Sequence, residues 1–445
     1  MAPDPARHPA NGAPPSGDLA DRRPGLGSRR VRCVVAGAVF LAGSGLVAAL
    51  FYSPGDLDGF RWPMAEMALH GHPLLVYSVH VGPWRSDDGP LGLVPLTAVA
   101  ALANALGWQD SIDLRADLTI ALFGIFSLLL AREAVLAIEA VRGPFRHPLA
   151  AAAPFLLAPP LWIGVVGYGH VDLPIEMWLT LLSVRLLGRD APVKAGFCLG
   201  LALLTRTTVL LSAVPLALLL VFSRRMRSAA ALAGTAALTV AAGLLPFVVA
   251  DAGDVVRSLV TYRSDVPSLG GSFWQLLQGT SLSGFAQRWD TVAFGGAAVI
   301  LTAAALWRRP GATFAAPRVY ALLAVSTACL PLFAKSVWPY YLVDPYVFAA
   351  LWWLGRPQTA LNWRVACPAL LAACAVVLAV HPPAAAGAKV TEGVDCSLAV
   401  ALAMALILAD WLATGERVRP GSGRGRAGRL DRPVPAPLSA GTPSP

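Results

Sequence analysis

The chain has 445 residues, of which 56% are hydrophobic and only 14% are charged, and its mean hydropathy is +0.61. Soluble globular domains carry roughly 25% charged residues, so this composition excludes a soluble protein. The net charge is +9, which in a soluble protein would indicate a nucleic-acid partner. Here the basic residues lie in the tails and in short connectors, and no base-stacking aromatic pattern accompanies them. We therefore expect a protein of the lipid bilayer that binds no nucleic acid.

Apolar blocks of about 20 residues, the length at which a helix crosses a bilayer, recur along most of the chain. The first covers residues 34–51, the last covers 396–413, and the total is about 10 to 13. The predicted fold is an all-α polytopic bundle of transmembrane helices. Block 34–51 is long and lacks a small-residue cleavage site, so we expect an uncleaved first helix rather than a secretory signal.

The two tails differ from the blocks between them. Residues 1–31 and 415–445 are rich in Pro, Gly, Ala and Arg without periodicity, which predicts disordered basic tails. Residues 32–414 form one multi-span domain. Because basic residues favour the cytoplasmic side, we expect a plasma-membrane protein with both termini in the cytoplasm. Two long connections, about 53–89 and 251–290, then lie on the outer face, where long loops commonly carry function.

Simple alternation of the blocks conflicts with the positive-inside rule, because it puts the basic segments 142–147 and 189–194 outside. The conflict disappears if block 90–108 is re-entrant and block 197–222 is a broken hairpin. Irregular backbone at membrane depth is tolerated only where it lines a cavity. This solution predicts a site and puts Asp172 on the outer face.

Two carboxylates stand one residue apart in the first outer connection, Asp56 and Asp58. Such a pair can bind a divalent cation, Mg or Mn, or divide into a metal ligand and a general base. The ordinary alternative is that one of them caps the next helix, whose apolar residues Phe60, Met64 and Leu69 would lie on the membrane surface.

Histidines are concentrated on the predicted outer side. His70, His72 and His80 could form a zinc site, but their spacing does not fix a tetrahedral cage as H-E-x-x-H does. Hydrogen bonding to a sugar or phosphate is the simpler use. No Walker loop, GxGxxG, GxSxG or CxxCH motif is present, and the six cysteines show no CxxC spacing. These absences remove the common nucleotide, hydrolase, haem and zinc-ribbon interpretations.

Ionisable residues inside apolar blocks need a partner or a wet cavity, since each costs about 2.5–3.5 kcal/mol in a span. Arg206 and Asp172 are in this position. A lipid-linked phosphate would suit Arg206 or Lys335. The alternatives are an ion pair of Arg206 with Asp172 or Glu176 and, for Lys335, simple snorkelling to the interface.

Several short patterns follow one another in order. An acidic residue is followed by an aromatic residue, a short amphipathic segment ending in Gly-x-Pro, and a Tyr. An aromatic-Gly element with a later Asp, an Ala-Gly-x-x-x-Gly-Leu-Ala run with a later Arg, and a late Tyr-Tyr pair come next. The residues concerned are Asp56, Phe60, Gly71-His72-Pro73, Tyr77, Tyr168-Gly169-His170-Val171-Asp172, 195–202, Arg206, Lys335, Tyr340 and Tyr341.

This order resembles the GT-C glycosyltransferases, integral membrane enzymes such as mannosyl- and arabinosyltransferases that use a polyprenyl-phosphate sugar. The resemblance covers residues 45–355 in pieces, with His170 where the family commonly has Gln and Phe60 where Tyr is more usual. It implies inverting transfer of a hexosyl or pentosyl unit from a polyprenyl-phosphate-sugar donor to an envelope glycan, lipid or protein acceptor. Asp56, Asp58 and Asp172 would be catalytic, with Asp56 and Asp58 as ligands of any metal, and His72, His170, Arg206, Lys335, Tyr340 and Tyr341 would bind the lipid phosphate or the sugar.

A transporter or flippase for a lipid-linked or polar substrate is the main alternative, because broken helices and intramembrane charges also line transport paths. Against it, the hydropathy pattern has no two-fold internal repeat, and a polar outer loop so early in the chain is unusual for a transporter. A structural or assembly protein without chemistry is the third possibility. In that case Tyr340 and Tyr341 would belong to the aromatic belt at the membrane interface.

Overall fold

A computed structural model describes most of the chain between residues 34 and 413. The predicted tails, 1–31 and 415–445, and hence the limits of the predicted multi-span domain, lie outside the described residues. The described ranges are 34–35, 37–44, 46, 56–81, 84–86, 88–145, 148–265, 272–277, 280–308, 314, 317–356, 363–380 and 390–413.

The described chain is almost entirely helical, as the apolar blocks predict. Its sheet is a hairpin of two short strands, β1 (His80–Val81) and β2 (Trp84–Arg85), with His80 opposite Arg85. The α-helices are α1 (Trp62–Leu69), α2 (Pro90–Ala105), α3 (Ile112–Arg142), α4 (Pro148–Leu156), α5 (Pro159–Trp162), α6 (Leu173–Gly188), α7 (Pro192–Leu203), α8 (Leu210–Phe222), α9 (Met226–Val256), α10 (Tyr262–Asp265), α11 (Ser283–Arg308), α12 (Arg318–Phe333), α13 (Val343–Gly355), α14 (Ala366–Val380) and α15 (Val390–Ala413).

Within the described residues, five helices are long and apolar enough to cross a membrane, and a pair bent by 51° adds a sixth. The fold is therefore an all-α bundle with several candidate spans, as predicted. The long spans are fewer than the 10 to 13 apolar blocks, because four further apolar helices have only 10–17 residues and block 34–51 is only partly described. The long spans are Ile112–Arg142, Met226–Thr261, Arg288–Arg308, Trp363–Val380 and Gly393–Ala413, and the bent pair is Pro148–Leu156 with Pro159–Gly167.

Helix α2 packs alongside α1 and both of its ends contact the same short part of the chain. Just before α2, Asp88 pairs with Arg61 at 2.6 Å, and near its end the Asn104 side chain donates to Glu66 at 3.4 Å. Helix α3 also begins here, with the Arg115 guanidinium 5.0 Å from the tryptophan ring of α1. Helix α2 therefore does not carry the chain to the far end of the bundle, which agrees with the predicted re-entrant block.

Block 197–222 is a broken hairpin, as its central arginine predicts. Helices α7 and α8 are separated by a break at which Arg206 has an extended backbone. The Arg225 guanidinium, just after α8, contacts the Asp190 carboxylate, just before α7. The two limbs therefore begin and end at the same end of the bundle.

The bundle has two chemically different ends. At the first, called the basic end, the Arg142 side chain donates to Leu354 O at 3.1 Å, and Arg364 pairs with Asp410 at 2.6 Å. At the opposite end, called the cavity end, the breaks between helices bring irregular backbone together. Residues Arg142, Asp190, Arg225, Arg318, Arg356, Arg364 and Asp410 define the basic end, and segments 56–61, 86–89, 168–172, 204–206 and 334–341 define the cavity end.

Helices α12 and α13 are buried on almost every side, as expected for apolar helices in the middle of a membrane bundle. Helix α12 runs from the basic end to the cavity end and α13 returns. The connection between them, 334–342, is therefore held at the cavity end by two rigid elements. This connection contains the predicted site residues Lys335, Tyr340 and Tyr341.

Candidate functional site

An open cavity of about 660 Å³ lies at the cavity end. Its walls come from the first long connection, the loop before α6, the segment after α9 and the connection between α12 and α13. The lining residues are Asp56, Phe60, Arg61, Arg85, Ser86, Asp88, His170, Tyr262, Arg263, Lys335, Ser336, Trp338, Tyr340 and Tyr341.

Two π-helical turns, Leu57–Arg61 and Ile163–Gly167, build one wall of the cavity. Turns of this kind are rare and occur frequently at functional sites. They meet at Gly169, whose φ of +68° suits glycine. A Cβ atom at this position would collide with the Leu57 side chain, so only glycine allows so close an approach. This packing places His170 directly against Asp56.

Arg61 is the centre of a buried ionic cluster in the cavity floor. Its Nε donates to Asp88 Oδ2 at 2.6 Å, its Nη2 lies 2.7 Å from Asp172 Oδ1, and its Nη1 donates to Gly169 O. Burial alone would lower the pKa of Arg61, but the carboxylates of Asp172 and Asp88 outweigh it and raise the pKa above its ordinary value. Arg61 is a permanent cation in this position.

Asp56 contacts His170 rather than capping a helix. Its Oδ2 lies 2.8 Å from His170 Nε2, and although it stands at the N-cap position, its side chain makes no cap hydrogen bond. The capping alternative is therefore wrong for Asp56. Burial would raise the pKa of this carboxyl, but the hydrogen bond with His170 and the charge of Arg61 lower it below the ordinary value. Asp56 is ionised at neutral pH.

Arg206 lies behind the cavity and does not line it. Its Nη1 is 3.3 Å from Asp172 Oδ2 and its Nε is 3.5 Å from Glu176 Oε2. These contacts are the ion pairs that the sequence offered as the alternative to phosphate binding. Arg61 and Arg206 thus each lie between acidic side chains, and oppositely charged neighbours of this kind are what buried ionisable groups need in an apolar bundle.

The cavity lining carries more positive than negative charge. Arg263 stacks on the Tyr341 ring at 5.5 Å and donates to Tyr341 Oη at 3.3 Å. Arg85 contacts Asp254 at 3.3 Å, and Lys335 is buried, with its backbone N–H donating to Asp290 at 3.3 Å. The basic lining residues are Arg61, Arg85, Arg263 and Lys335, against the carboxylates of Asp56 and Asp88.

Aromatic rings cover the part of the cavity wall next to His170. Trp338 and Tyr340 are parallel, with centroids 6.3 Å apart, and Tyr168 meets both rings edge-on. Tyr340 also lies on the His170 ring at 3.8 Å and is buried. Tyr340 and Tyr341 both line the cavity, which favours a role in the site over the interfacial belt.

Several of the residues predicted from sequence lie away from this cavity. His72 is exposed, and Asp58, two residues along the turn from Asp56, is not a lining residue. His70 and His80 are also exposed, and the described residues do not bring them together with His72 as a zinc site. The Gly71-His72-Pro73 turn projects outward because α1 buries its opposite face against α2, with Met64 fully buried rather than on the membrane surface.

Among the described residues, Asp88, His170 and Asp172 offer donor atoms close enough to hold a metal ion. Arg61 occupies the space between them, since its guanidinium contacts Asp88, Asp172 and His170 Nδ1 at 2.6–2.7 Å. A guanidinium already supplies the positive charge there. These residues do not fit a divalent cation unless Arg61 moves, so we assign no chemical step to a metal.

The sequence interpretation missed four charged lining residues, Arg61, Arg85, Asp88 and Arg263. Arg61 had a detectable signal, because it is a charged residue between two aromatics in a short apolar segment. Asp88 also had one, as an acid directly before the Gly89-Pro90 start of an apolar block. Arg85 and Arg263 have no local signal, because only the tertiary fold brings them to the cavity.

Comparison of the chain with protein-family models gave no match, and comparison with curated proteins gave none at a significant level. The geometry of the cavity is therefore the basis for assigning a function.

Proposed function

We propose that this protein is a membrane glycosyltransferase of the GT-C type, which moves a sugar from a polyprenyl-phosphate donor to a cell-envelope acceptor. The observation that carries the proposal is Asp56, an ionised carboxylate held by His170 at 2.8 Å in the wall of a cavity with basic and aromatic surfaces. Transfer from a sugar phosphate needs these three elements: a base, positive charge for the leaving phosphate, and a surface for the sugar.

In the proposed reaction, the acceptor hydroxyl attacks the anomeric carbon from the side opposite the phosphate. Asp56 accepts the hydroxyl proton as the new C–O bond forms. The bond between the anomeric carbon and the phosphate oxygen breaks, its electron pair stays on the polyprenyl phosphate, and the anomeric configuration inverts. The proton on Asp56 is then released to water.

Arg263 and Lys335 neutralise the charge that develops on the leaving phosphate. Both line the cavity, and Arg263 also lies 3.9 Å from Asp290, whereas Arg206 lies behind the cavity against Asp172 and Glu176. In this proposal Arg263 binds the phosphate in place of Arg206, which was predicted to do so from sequence, and Lys335 keeps its predicted role. Trp338, which is partly exposed in the cavity wall, supplies an apolar face for the sugar ring.

The proposal includes an orientation, with the cavity on the outer face and both termini in the cytoplasm. The distribution of arginines supports it, because Arg142, Arg225, Arg356 and Arg364 all lie at the basic end. The non-crossing position of α2 removes the conflict between alternation and the positive-inside rule. An outer-face enzyme would use a lipid-linked sugar, since nucleotide sugars are cytoplasmic.

The test begins with a deletion strain whose envelope glycans are compared with the parent by mass spectrometry. Complementation with the wild type should restore the missing glycan, and complementation with Asp56→Asn or Asp172→Asn should not. Asp110→Asn, at an exposed turn residue, is the matched control. Wild-type glycan composition in both site variants at normal protein levels would overturn the proposal. Gradient-dependent accumulation of the substrate would instead support a transporter.

A further inference from the structure

Both ring nitrogens of the buried His170 have defined partners. Nε2 lies 2.8 Å from Asp56 Oδ2, while Nδ1 lies 2.6 Å from Arg61 Nη2 and 3.3 Å from Arg206 Nη1. A guanidinium only donates hydrogen bonds and is not deprotonated in proteins. His170 Nδ1 must therefore accept, and the hydrogen of the neutral ring is on Nε2, the nitrogen next to Asp56 Oδ2.

Asp172 does not reverse this assignment. Its Oδ1 lies 3.5 Å from His170 Nδ1 but only 2.7 Å from Arg61 Nη2, so the carboxylate oxygen is engaged with the arginine. A hydrogen on Nδ1 would point toward N–H groups of two cations. The two arginines thus disfavour the other tautomer.

The backbone and the neighbouring aromatic ring fix the orientation of His170. Its backbone N–H donates to Gly164 O at 2.9 Å, inside the second π-helical turn. The Tyr340 ring lies on the imidazole with centroids 3.8 Å apart and an interplanar angle of 35°. These contacts leave the ring little freedom to turn away from Asp56.

We propose that Arg61 and Arg206 hold His170 as the Nε2–H tautomer, and that His170 positions Asp56 by donating to its Oδ2. The other carboxylate oxygen of Asp56 is then left to accept the proton of the acceptor hydroxyl. This role rests on the proposed glycosyl transfer, but the tautomer itself does not. His170 is a positioning residue, because its accepting nitrogen is occupied by the arginines and its other nitrogen already carries a hydrogen.

The tautomer is tested by nuclear magnetic resonance on protein labelled with ¹⁵N-histidine in detergent micelles. The ring signals of His170 are those missing from the His170→Gln spectrum. We expect the pattern of a ring with hydrogen on Nε2 and none on Nδ1. A ring with hydrogen on Nδ1, as in the other tautomer or in an imidazolium, would overturn the proposal.

The positioning role is tested by transfer kinetics of two substitutions. In His170→Gln the amide oxygen accepts from the arginines and the amide nitrogen donates to Asp56, whereas His170→Leu does neither. We expect kcat to fall about 100-fold for His170→Leu, with little change in KM, and less than about tenfold for His170→Gln. The pH–rate profile of His170→Gln should keep the wild-type shape. His70→Gln, at an exposed histidine, is the matched control.

Two results would contradict the positioning role while glycosyl transfer stands. In the first, His170→Gln is as inactive as His170→Leu and loses a pH limb in the range where histidines titrate, which would make His170 the base. In the second, His170→Leu has wild-type kcat although Asp56→Asn is inactive. If Asp56→Asn itself keeps full transfer, the proposed function fails, and the resonance experiment still decides the tautomer. Melting temperatures of each variant separate these outcomes from misfolding.

Discussion

Arg61 Nη2 lies 2.7 Å from Asp172 Oδ1, and this contact joins the first long connection to the loop that precedes α6. Both side chains are almost fully buried. A buried ion pair contributes little when complete, but removal of one partner leaves an uncompensated charge. The contact therefore makes the integrity of the cavity floor depend on residues from two distant parts of the chain.

Arg61→Met is expected to destabilise the protein strongly, because it leaves Asp88 and Asp172 buried without their shared partner. The cost for a buried pair is about 3–5 kcal/mol. Arg225→Met is the matched control, since the Arg225–Asp190 pair is exposed and such pairs contribute about 0–1 kcal/mol. Thermal unfolding in detergent measures both. If the melting temperatures of the two variants decrease equally, Arg61 stabilises the protein no more than an exposed ion pair does, which would contradict its role in a buried cluster.

Chelation of divalent cations is expected to leave transfer unchanged. Arg61 occupies the space between Asp88, His170 and Asp172, the described group that could otherwise hold an ion. The measurement is the transfer rate of purified protein before and after dialysis against EDTA. Loss of activity that Mg or Mn restores would contradict this prediction and support the metal that the sequence predicts at Asp56 and Asp58.

Arg263→Gln and Lys335→Gln are each expected to raise the KM for the donor by about 10–100-fold, since a hydrogen bond to a charged group contributes about 1.5–3 kcal/mol. Arg288→Gln is the matched control, because Arg288 is exposed and does not line the cavity. Donor-dependence curves at fixed acceptor provide the measurement. An unchanged KM in both cavity variants would place the phosphate elsewhere.

The orientation predicts opposite labelling of the two ends of the bundle. In a Cys33→Ser background, His80→Cys at the cavity end should react with a membrane-impermeant maleimide in intact cells. Arg227→Cys at the basic end should react only after permeabilisation. Both positions are exposed, and the described cysteines are buried, which limits background labelling. The reverse pattern would put the cavity on the cytoplasmic face.

The helices and their breaks were largely predictable from sequence, because bilayer thickness fixes the length of an apolar block. Arg206 in the middle of block 197–222 correctly indicated a broken hairpin. The re-entrant position of block 90–108 stays a prediction, which the contacts of both ends of α2 with α1 support. The number of long spans was not predictable in the same way. Whether a Pro or Gly ends a helix or only bends it depends on the packing of neighbouring helices.

The site was predictable in parts. Asp56, His170, Asp172, Lys335 and Tyr340 were nominated separately, and the fold brings all five to the cavity or to its floor. His72 and Asp58 were nominated on the same grounds, but the His72 side chain is exposed and Asp58 does not line the cavity. The contacts that decide a role, such as those between Arg61 and His170 Nδ1, join residues far apart in sequence, and no local pattern contains them.

The most direct test of Asp56 as the base is the transfer rate of Asp56→Asn beside Asp110→Asn, measured with polyprenyl-phosphate sugar from about pH 5 to 8. We predict that the transfer rate of Asp56→Asn is lower than that of the wild type by about 100-fold or more at every pH. The rate of Asp110→Asn should equal that of the wild type. The pKa of Asp56 is below its ordinary value, so the wild-type rate should lose this base only below about pH 4. Equal rates for the two variants would contradict a catalytic role for Asp56 and the proposed transfer with it.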